Sequence, residues 1–177
     1  MLKNVRLSFP SLFRKAVFNG EETKFEATFL LDKKNHAQII SEINEKFETM
    51  IKVDFKGAKI APDKKCAKDG DLSEYDGYAG CISIKAANKK RPLIIDNDKL
   101  IVTEEDADTA DIFYAGCYVN AKIEIWAQNN NWGKRINANL LGVQFCAHGA
   151  KFSDGVSASS DDFDTVTIES EDYMDLC

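Results

Sequence analysis

A mainly β domain with one main helix, followed by an acidic tail, is the architecture this sequence predicts, on three features of its patterning. Several stretches alternate apolar and polar residues with the period of two that places one set on each face of a sheet. A single stretch, ending near Val53, repeats its apolar residues at three- and four-residue spacing. After His148-Gly149 all periodicity stops and the chain turns rich in Ser, Asp and Glu. These breaks divide the chain into a folded part, residues 1–153, and a flexible acidic tail, residues 154–177.

In chain order, Val5, Leu7 and Phe9 alternate with Asn4, Arg6 and Ser8, a first strand that Pro10 ends or pushes to an edge. Leu12 and Phe13 then close over the core, and Asn19-Gly20 offers turn chemistry before the next run. From Lys24 to Leu31, Phe25, Ala27, Phe29 and Leu31 share one face and Lys24, Glu26 and Thr28 the other, which predicts a half-buried strand. Asp32 or Asn35 is placed to cap a helix in which Ile39, Ile40, Ile43, Phe47, Met50 and Ile51 form the apolar face, packed on a sheet or plugging a barrel end. His36, near its start, reads as a surface or cap residue, since no partner constellation accompanies it.

Lys56 to Gly77 has little periodicity and reads as a long loop of the kind that is often functional. Tyr78, Gly80, Ile82 and Ile84 then alternate with Ala79, Cys81, Ser83 and Lys85 in a third strand running toward Ala87. A basic turn, Asn88 to Pro92, leads to a short apolar strand, Leu93 to Ile95. With Lys85, the turn residues Lys89, Lys90 and Arg91 make the densest positive patch, whose simplest reading is a solvated hairpin tip. Asp96 to Asp111 is acidic and predicts a loop with a helical turn around Glu104 to Asp111.

The most informative stretch is Asp111 to Phe145, which predicts two long strands joined by a short turn. Cys117, Val119, Ala121, Ile123 and Ile125 make a core face, and Tyr118, Asn120, Lys122, Glu124 and Trp126 face the other way. In the return strand Ile136, Ala138 and Leu140 have one parity and Leu141, Val143 and Phe145 the other. A bulge near Leu140 to Gly142 keeps both sets inward and helps a sheet curl into a barrel. The outward face carries rings and a lysine, beside a turn containing Trp132, Lys134 and Arg135. Rings for bases and cations for phosphates are what a single-stranded nucleic acid needs, although Tyr and Trp suit any pleated surface.

The net charge of -6 is unevenly spread. All 23 Lys and Arg lie at or before Lys151, whereas eight of the 29 acids lie from Asp154 onward, so the body carries about +2 and the tail -8. Five widely spaced cysteines argue for reduced thiols in a cytoplasmic protein, and neither a signal peptide nor an apolar run of roughly 18 residues is present. Phosphate-loop, nucleophile-elbow, zinc-protease and C-x-x-C motifs are absent, and Cys146-x-His148 makes a poor zinc pair. Asp96, Asp98, Glu104, Glu105 and Asp106 could serve a metal-dependent nuclease only by converging on one cavity, and no companion motif points that way. No cofactor is expected, and no catalysis.

Four segments together carry a resemblance: NVRLSFPSLF from Asn4, GYAGCISIKA from Gly77, YAGCYVNAKIEIWA from Tyr114 and ANLLGVQF from Ala138. In this order, over roughly residues 1 to 153, the chain resembles the bacteriophage single-stranded DNA-binding proteins. The resemblance implies an OB-type five-stranded barrel with long loops, binding of single-stranded DNA without marked sequence preference, and an acidic C-terminal tail like those of other replication single-strand binders. A flexible segment of charge -8 would itself occupy the body's positive groove when DNA is absent and dock replication proteins once DNA displaces it. It implies roles in phage DNA replication, recombination or repair within the host cytoplasm. The tail ends in DYMDLC, where better-known phage binders end in Phe.

On such a barrel Tyr118, Lys122 and Trp126 would form one strip of the binding face, with Ser83 and Lys85 beside it. Lys89, Lys90, Arg91, Trp132, Lys134 and Arg135 would lie in flanking loops, Arg6 would add a phosphate contact, and Tyr78 and Tyr114 are further candidates. The parity of Tyr78 with Ile82 and Ile84 favours its burial equally. Asp161, Asp162, Asp164, Glu169, Glu171, Asp172 and Asp175 are the expected docking acids, with replisome proteins as partners and a second copy of the chain as another candidate. A solubilising terminus is the simpler reading of that tail. The alternatives to DNA binding are a protein-binding adaptor on the same barrel and the nuclease.

Overall fold

The computed structural model describes residues 1–153, so the expected tail and its acids, Asp154 to Asp175, lie outside the described residues. Its elements in order are β1 (Leu2–Ser11), β2 (Val17–Phe18), β3 (Glu21–Glu22), β4 (Phe25–Asp32), α1 (Ala37–Val53), β5 (Ala67–Asp69), β6 (Cys81–Asn88), β7 (Leu93–Ile95), α2 (Ala107–Ala110), β8 (Tyr118–Asn130) and β9 (Gly133–Ala147). Antiparallel pairing joins β6 to β4, β4 to β1, β1 to β8 and β8 to β9. β9 then meets β6 in parallel at one pair, Asn139 with Ala87, and closes the five-stranded barrel that the resemblance implied. Along its outer edge β9 is met in turn by Lys65 opposite Ile136, by Ala87, and by β7 opposite Gly142 to Gln144.

The core follows the alternations. Val5, Leu7, Phe29, Leu31, Ile84, Val119, Ile136 and Leu140 are fully buried and share one cluster, which Ile43 and Phe47 of α1 join. Each side chain of that size contributes about 1.5–3 kcal/mol by leaving water. Leu141 has no partner on β8, since Lys122 pairs with Gly142 and Ile123 with Leu140. The expected bulge is therefore present and keeps Leu140, Val143 and Phe145 inside, but Leu141, expected inward with the last two, is the bulged residue and turns to solvent. Asn19 and Gly20 both take positive φ, as the tight turn between β2 and β3 requires.

Other expectations are corrected. Phe9 does not share the inward face of Val5 and Leu7: at φ 45 it sits in an irregularity between Ser8 and Ser11, so Ser8 is buried and the Phe9 ring turns outward. β4 is not half-buried, because Thr28 and Leu30 are covered on its second face. Neither Asp32 nor Asn35 is the helix cap; Asp32 Oδ1 accepts the N–H groups of Lys34 and Asn35 in a turn one step earlier, and His36 stands at the cap position without a side-chain cap. The segment from Lys56 to Gly77 is more than a loop, since it contains β5, paired with β6, and short helical turns at Pro62–Lys64 and Gly70–Leu72. The third strand starts at Cys81, leaving Tyr78 outside it. Lys89 to Arg91 do not form a hairpin tip, because β7 pairs with β9 and not with β6.

The wall made by β5 and the turn after it is pinned by Lys33, whose Nζ lies 2.7 Å from Asp69 Oδ1 and 2.6 Å from Asp71 Oδ2. The lysine holds both carboxyls below their usual range, and they raise it in return. Asp71 Oδ1 also accepts the Gly80 N–H at 2.6 Å. Gly70 sits where a Cβ would run into the carbonyl oxygens of Tyr78 and Cys81, both backbone atoms with little freedom to yield. Gly70→Ala is expected to cost about 1–3 kcal/mol by overpacking, read as a lower thermal midpoint; an unchanged midpoint would mean the wall is not packed as described.

Candidate nucleic-acid interface

An open trough of about 770 Å³ crosses the barrel face where β6 and β9 meet. Its floor is made by outward residues of β4, β6, β8 and β9, among them Thr28, Ser83, Lys85, Trp126, Gln128, Asn137 and Asn139. One wall is the Asp63 to Lys68 segment with Tyr75 and Tyr78, and Phe9 completes the rim. Six cations line it, Lys24, Lys64, Lys65, Lys68, Lys85 and Arg135, against two acids, Glu26 and Asp63. Glu26 is paired with Lys85 at 3.0 Å, an exposed contact of little strength that a stronger anion can displace.

The rings are held at their edges and open on their faces. Trp126 is 38% exposed, and its Nε1–H donates to Asn139 Oδ1 at 3.1 Å, while Asn139 Nδ2 donates to Glu124 Oε2. Phe9, 51% exposed, meets the edge of Tyr75 at 4.9 Å between centroids, and Tyr75, 62% exposed, tilts against Tyr78 at 5.4 Å. Aromatic faces beside a cationic track suit stacked bases and a polyanionic backbone. A larger hollow of about 950 Å³ adjoins beyond Tyr75 and extends under Leu72 toward Phe47, but of the six cations it shares only Lys65 and Lys68.

The expected site residues divide. Lys85, Trp126 and Arg135 come together in the trough, and Tyr78 borders it. Tyr78 itself is only 5% exposed, with its hydroxyl 3.1 Å from Ser8 Oγ, so it supports Tyr75 and offers no open face. The strip of Tyr118, Lys122 and Trp126 keeps one parity along β8, but its Tyr118 end lies beneath Arg6 and the residues around Gly149. Arg6 is committed elsewhere: Nε donates to the Gly116 carbonyl at 3.2 Å, Nη2 donates to that of Ala150, and the guanidinium covers the Phe152 ring at 4.1 Å. Tyr114 bonds Gly149 through both its N–H and its carbonyl, and stacks on His148. Lys122, Lys134 and Trp132, the last 88% exposed at the hairpin tip, lie off the trough, as do Lys89, Lys90 and Arg91, of which Arg91 rests over Phe25.

Phe9, Tyr75, Lys24, Lys64, Lys65 and Lys68 were missed. Lys64, Lys65 and Lys68 were detectable in the lysine-rich, aperiodic Lys56 to Gly77 stretch and Lys24 on the polar face of the Lys24 to Leu31 run, whereas Phe9 reads as core until its positive φ is known. The acids of the Asp96 to Asp106 stretch serve their own turns: Asp96 Oδ1 accepts from Asp98 and Leu100, Asp106 Oδ2 accepts from Thr103, and Glu104 pairs with Arg14. Among the described residues no three His, Cys, Asp or Glu side chains gather as metal ligands, and no helix is long and apolar enough to cross a membrane.

Comparison with known proteins finds relatives of the chain and of its fold. A family model described as the single-stranded DNA-binding protein of Enterobacter phage Enc34 matches residues 1–174. The chain is 38% identical over 183 residues to protein p50 of Acyrthosiphon pisum secondary endosymbiont phage 1, spanning 98% of this chain and 96% of the relative. The solved single-stranded DNA-binding protein from bacteriophage Enc34 in complex with single-stranded DNA is similar at TM-score 0.75 and 33% identity, over 85% of this chain and 87% of that one. The gp2.5 single-stranded DNA-binding protein of bacteriophage T7, at TM-score 0.51 and 12% identity over 90% of this chain and 96% of that one, shares the fold.

Cys66 lines the trough, and burial pushes its thiol up to about 11, as it does that of Cys117. Near pH 8 this leaves a thiolate fraction roughly 100-fold below that of an ordinary thiol. Alkylation of Cys66 and Cys117 by iodoacetamide is expected to stay slow at pH 8 and to accelerate as the pH approaches 11, followed by peptide mass mapping. Rapid labelling of both at pH 8 in the folded protein would contradict the burial described.

Proposed function

The chain belongs to the family of the Enterobacter phage Enc34 single-stranded DNA-binding protein, and from that premise we propose that it binds single-stranded DNA along the Trp126–Tyr75 trough without sequence preference. The observation that carries this reading is the meeting of open rings and six cations on one exposed groove. Bases stack on Trp126, Tyr75 and Phe9, and phosphates follow Lys64, Lys65, Lys68, Lys85 and Arg135. Stacking ignores base identity because every base has a π-face. The groove binds and does no chemistry, coating strands exposed during phage replication, recombination or repair in the host cytoplasm.

Off the trough, Lys89, Lys90, Arg91, Lys122, Lys134 and Trp132 act as peripheral contacts for a longer strand. The acids Asp161, Asp162, Asp164, Glu169, Glu171, Asp172 and Asp175 compete with DNA for the cationic groove and, once displaced, become available to replisome proteins. Such competition is electrostatic and weakens with salt.

Titration with oligo-dT, read by Trp fluorescence, is expected to show quenching, and the absence of any binding at low salt would overturn the reading. If all six trough cations neutralise phosphates, log K against log salt falls with a slope of about -4, and Lys65→Ala makes it shallower by roughly 0.7. Trp126→Ala is expected to weaken binding by about 5- to 150-fold, the equivalent of about 1–3 kcal/mol for one stacked base, with the fold intact by circular dichroism. In the full chain, converting the seven tail acids to amides is expected to tighten binding at low salt and to change it less at high salt. A variant that matches the wild type at both salt concentrations would remove the competitor role.

A further inference from the structure

The last described residues fold back over the barrel to the turn that carries Tyr75. The Gly149 N–H donates to the Tyr114 hydroxyl at 3.1 Å and the Phe152 N–H to the Ala115 carbonyl at 3.1 Å. Ser153 then reaches Asp76 Oδ2 with its N–H at 2.9 Å and its hydroxyl at 3.3 Å. The Phe152 ring lies between the Arg6 guanidinium, 4.1 Å away, and Gly77, where it fills the space a Cβ would need. Gly77 has φ 79, so it is the residue type that permits both this turn and this approach.

On its other side the Tyr75 turn is held through Asp69 and Asp71 by Lys33. Tyr75 itself touches Phe9 and Tyr78 with its ring, donates its N–H to Ser73 Oγ at 3.2 Å and accepts the Tyr78 N–H at 3.3 Å, and most of its surface is open. Fixing such an exposed loop costs conformational entropy at the moment of binding unless the fold has ordered it beforehand. On the reading of the trough as the DNA site, we propose that Phe152 and Ser153 form a strap that positions Tyr75 for base stacking, with Arg6 as its anchor. Arg6 then acts through Phe152 and touches no phosphate. The Asp76 carboxyl is held below its usual range, first by the Ser153 N–H, and stays ionised to receive it. The strap also sets a boundary: residues up to Ser153 assist binding, and the acids beyond compete with it.

The test is a double-mutant cycle in the full-length protein, with oligo-dT affinity as the readout. Phe152→Ala is expected to weaken binding by about two- to tenfold, with an unchanged salt slope because no cation is removed. In a Tyr75→Ala background the same substitution is expected to have no further effect, and Phe152→Tyr, which keeps the ring, is expected to retain wild-type affinity. Additive losses in the double variant would overturn the strap, and so would an unaffected Phe152→Ala alongside a weakened Tyr75→Ala. If Tyr75→Ala and Trp126→Ala both bind like the wild type, the trough reading fails and the strap with it. If Phe152→Ala does not fold, Phe152→Leu, which removes the ring from Arg6 and Gly77 and changes no charge, carries the same cycle with the same outcomes.

Discussion

The structure depends on how a barrel closes when the two strands that meet at its seam run parallel. β6 and β9 share one backbone pair, Ala87 with Asn139, while every other seam is a longer antiparallel ladder. A seam of one pair leaves buried N–H and C=O groups to satisfy. The Lys65–Ala67 segment meets that need: the Cys66 N–H donates to the Ile136 carbonyl at 2.8 Å, and the Lys85 N–H to the Cys66 carbonyl at 3.0 Å. The filler is rich in lysine, so the repair of the seam also brings Lys64, Lys65 and Lys68 to the groove above it. Closure and charge placement are thus one event.

Departures from regular strand geometry do the remaining shaping. Asn4 and Phe9 both take positive φ in β1, and the register against β8 shifts between Leu2 and Val5. Leu2 and Val5 are consequently both buried though three residues apart. At Phe9 a bulky residue occupies a sparsely populated backbone region, a form of local strain that tends to collect at functional sites. Here it turns a ring from the core to the rim of the trough, against Tyr75.

Preorganisation links the groove to the chain's own end. Tyr75 sits on a turn held from one side by Lys33 through Asp69 and Asp71, and from the other by Phe152 and Ser153 through Gly77 and Asp76. Arg6, which the alternation of β1 presents outward, is absorbed by this second support, with two carbonyls and two rings as its partners. A cation on the surface is not thereby a phosphate contact; what else competes for its donors decides.

Much of the fold was legible because periodicity is local. The alternations of β4, β6 and β8, the single amphipathic helix, the Asn19-Gly20 turn and the bulge at Leu141 could all be inferred from residues a few positions apart. So could the pairing of Trp126 with Lys85 and Arg135 as chemistry in search of one surface. What the sequence could not determine was which of many outward rings and cations share a groove, since that depends on pairings of high sequence separation. Lys65 joins Ile136, Ser153 reaches Asp76 and Arg6 reaches Ala150 only once the barrel has closed. By itself the sequence determined the core face of β4, β6 and β8; the tertiary structure decided which opposite faces stay wet and which look at one another, because a strand's period says nothing about its neighbours.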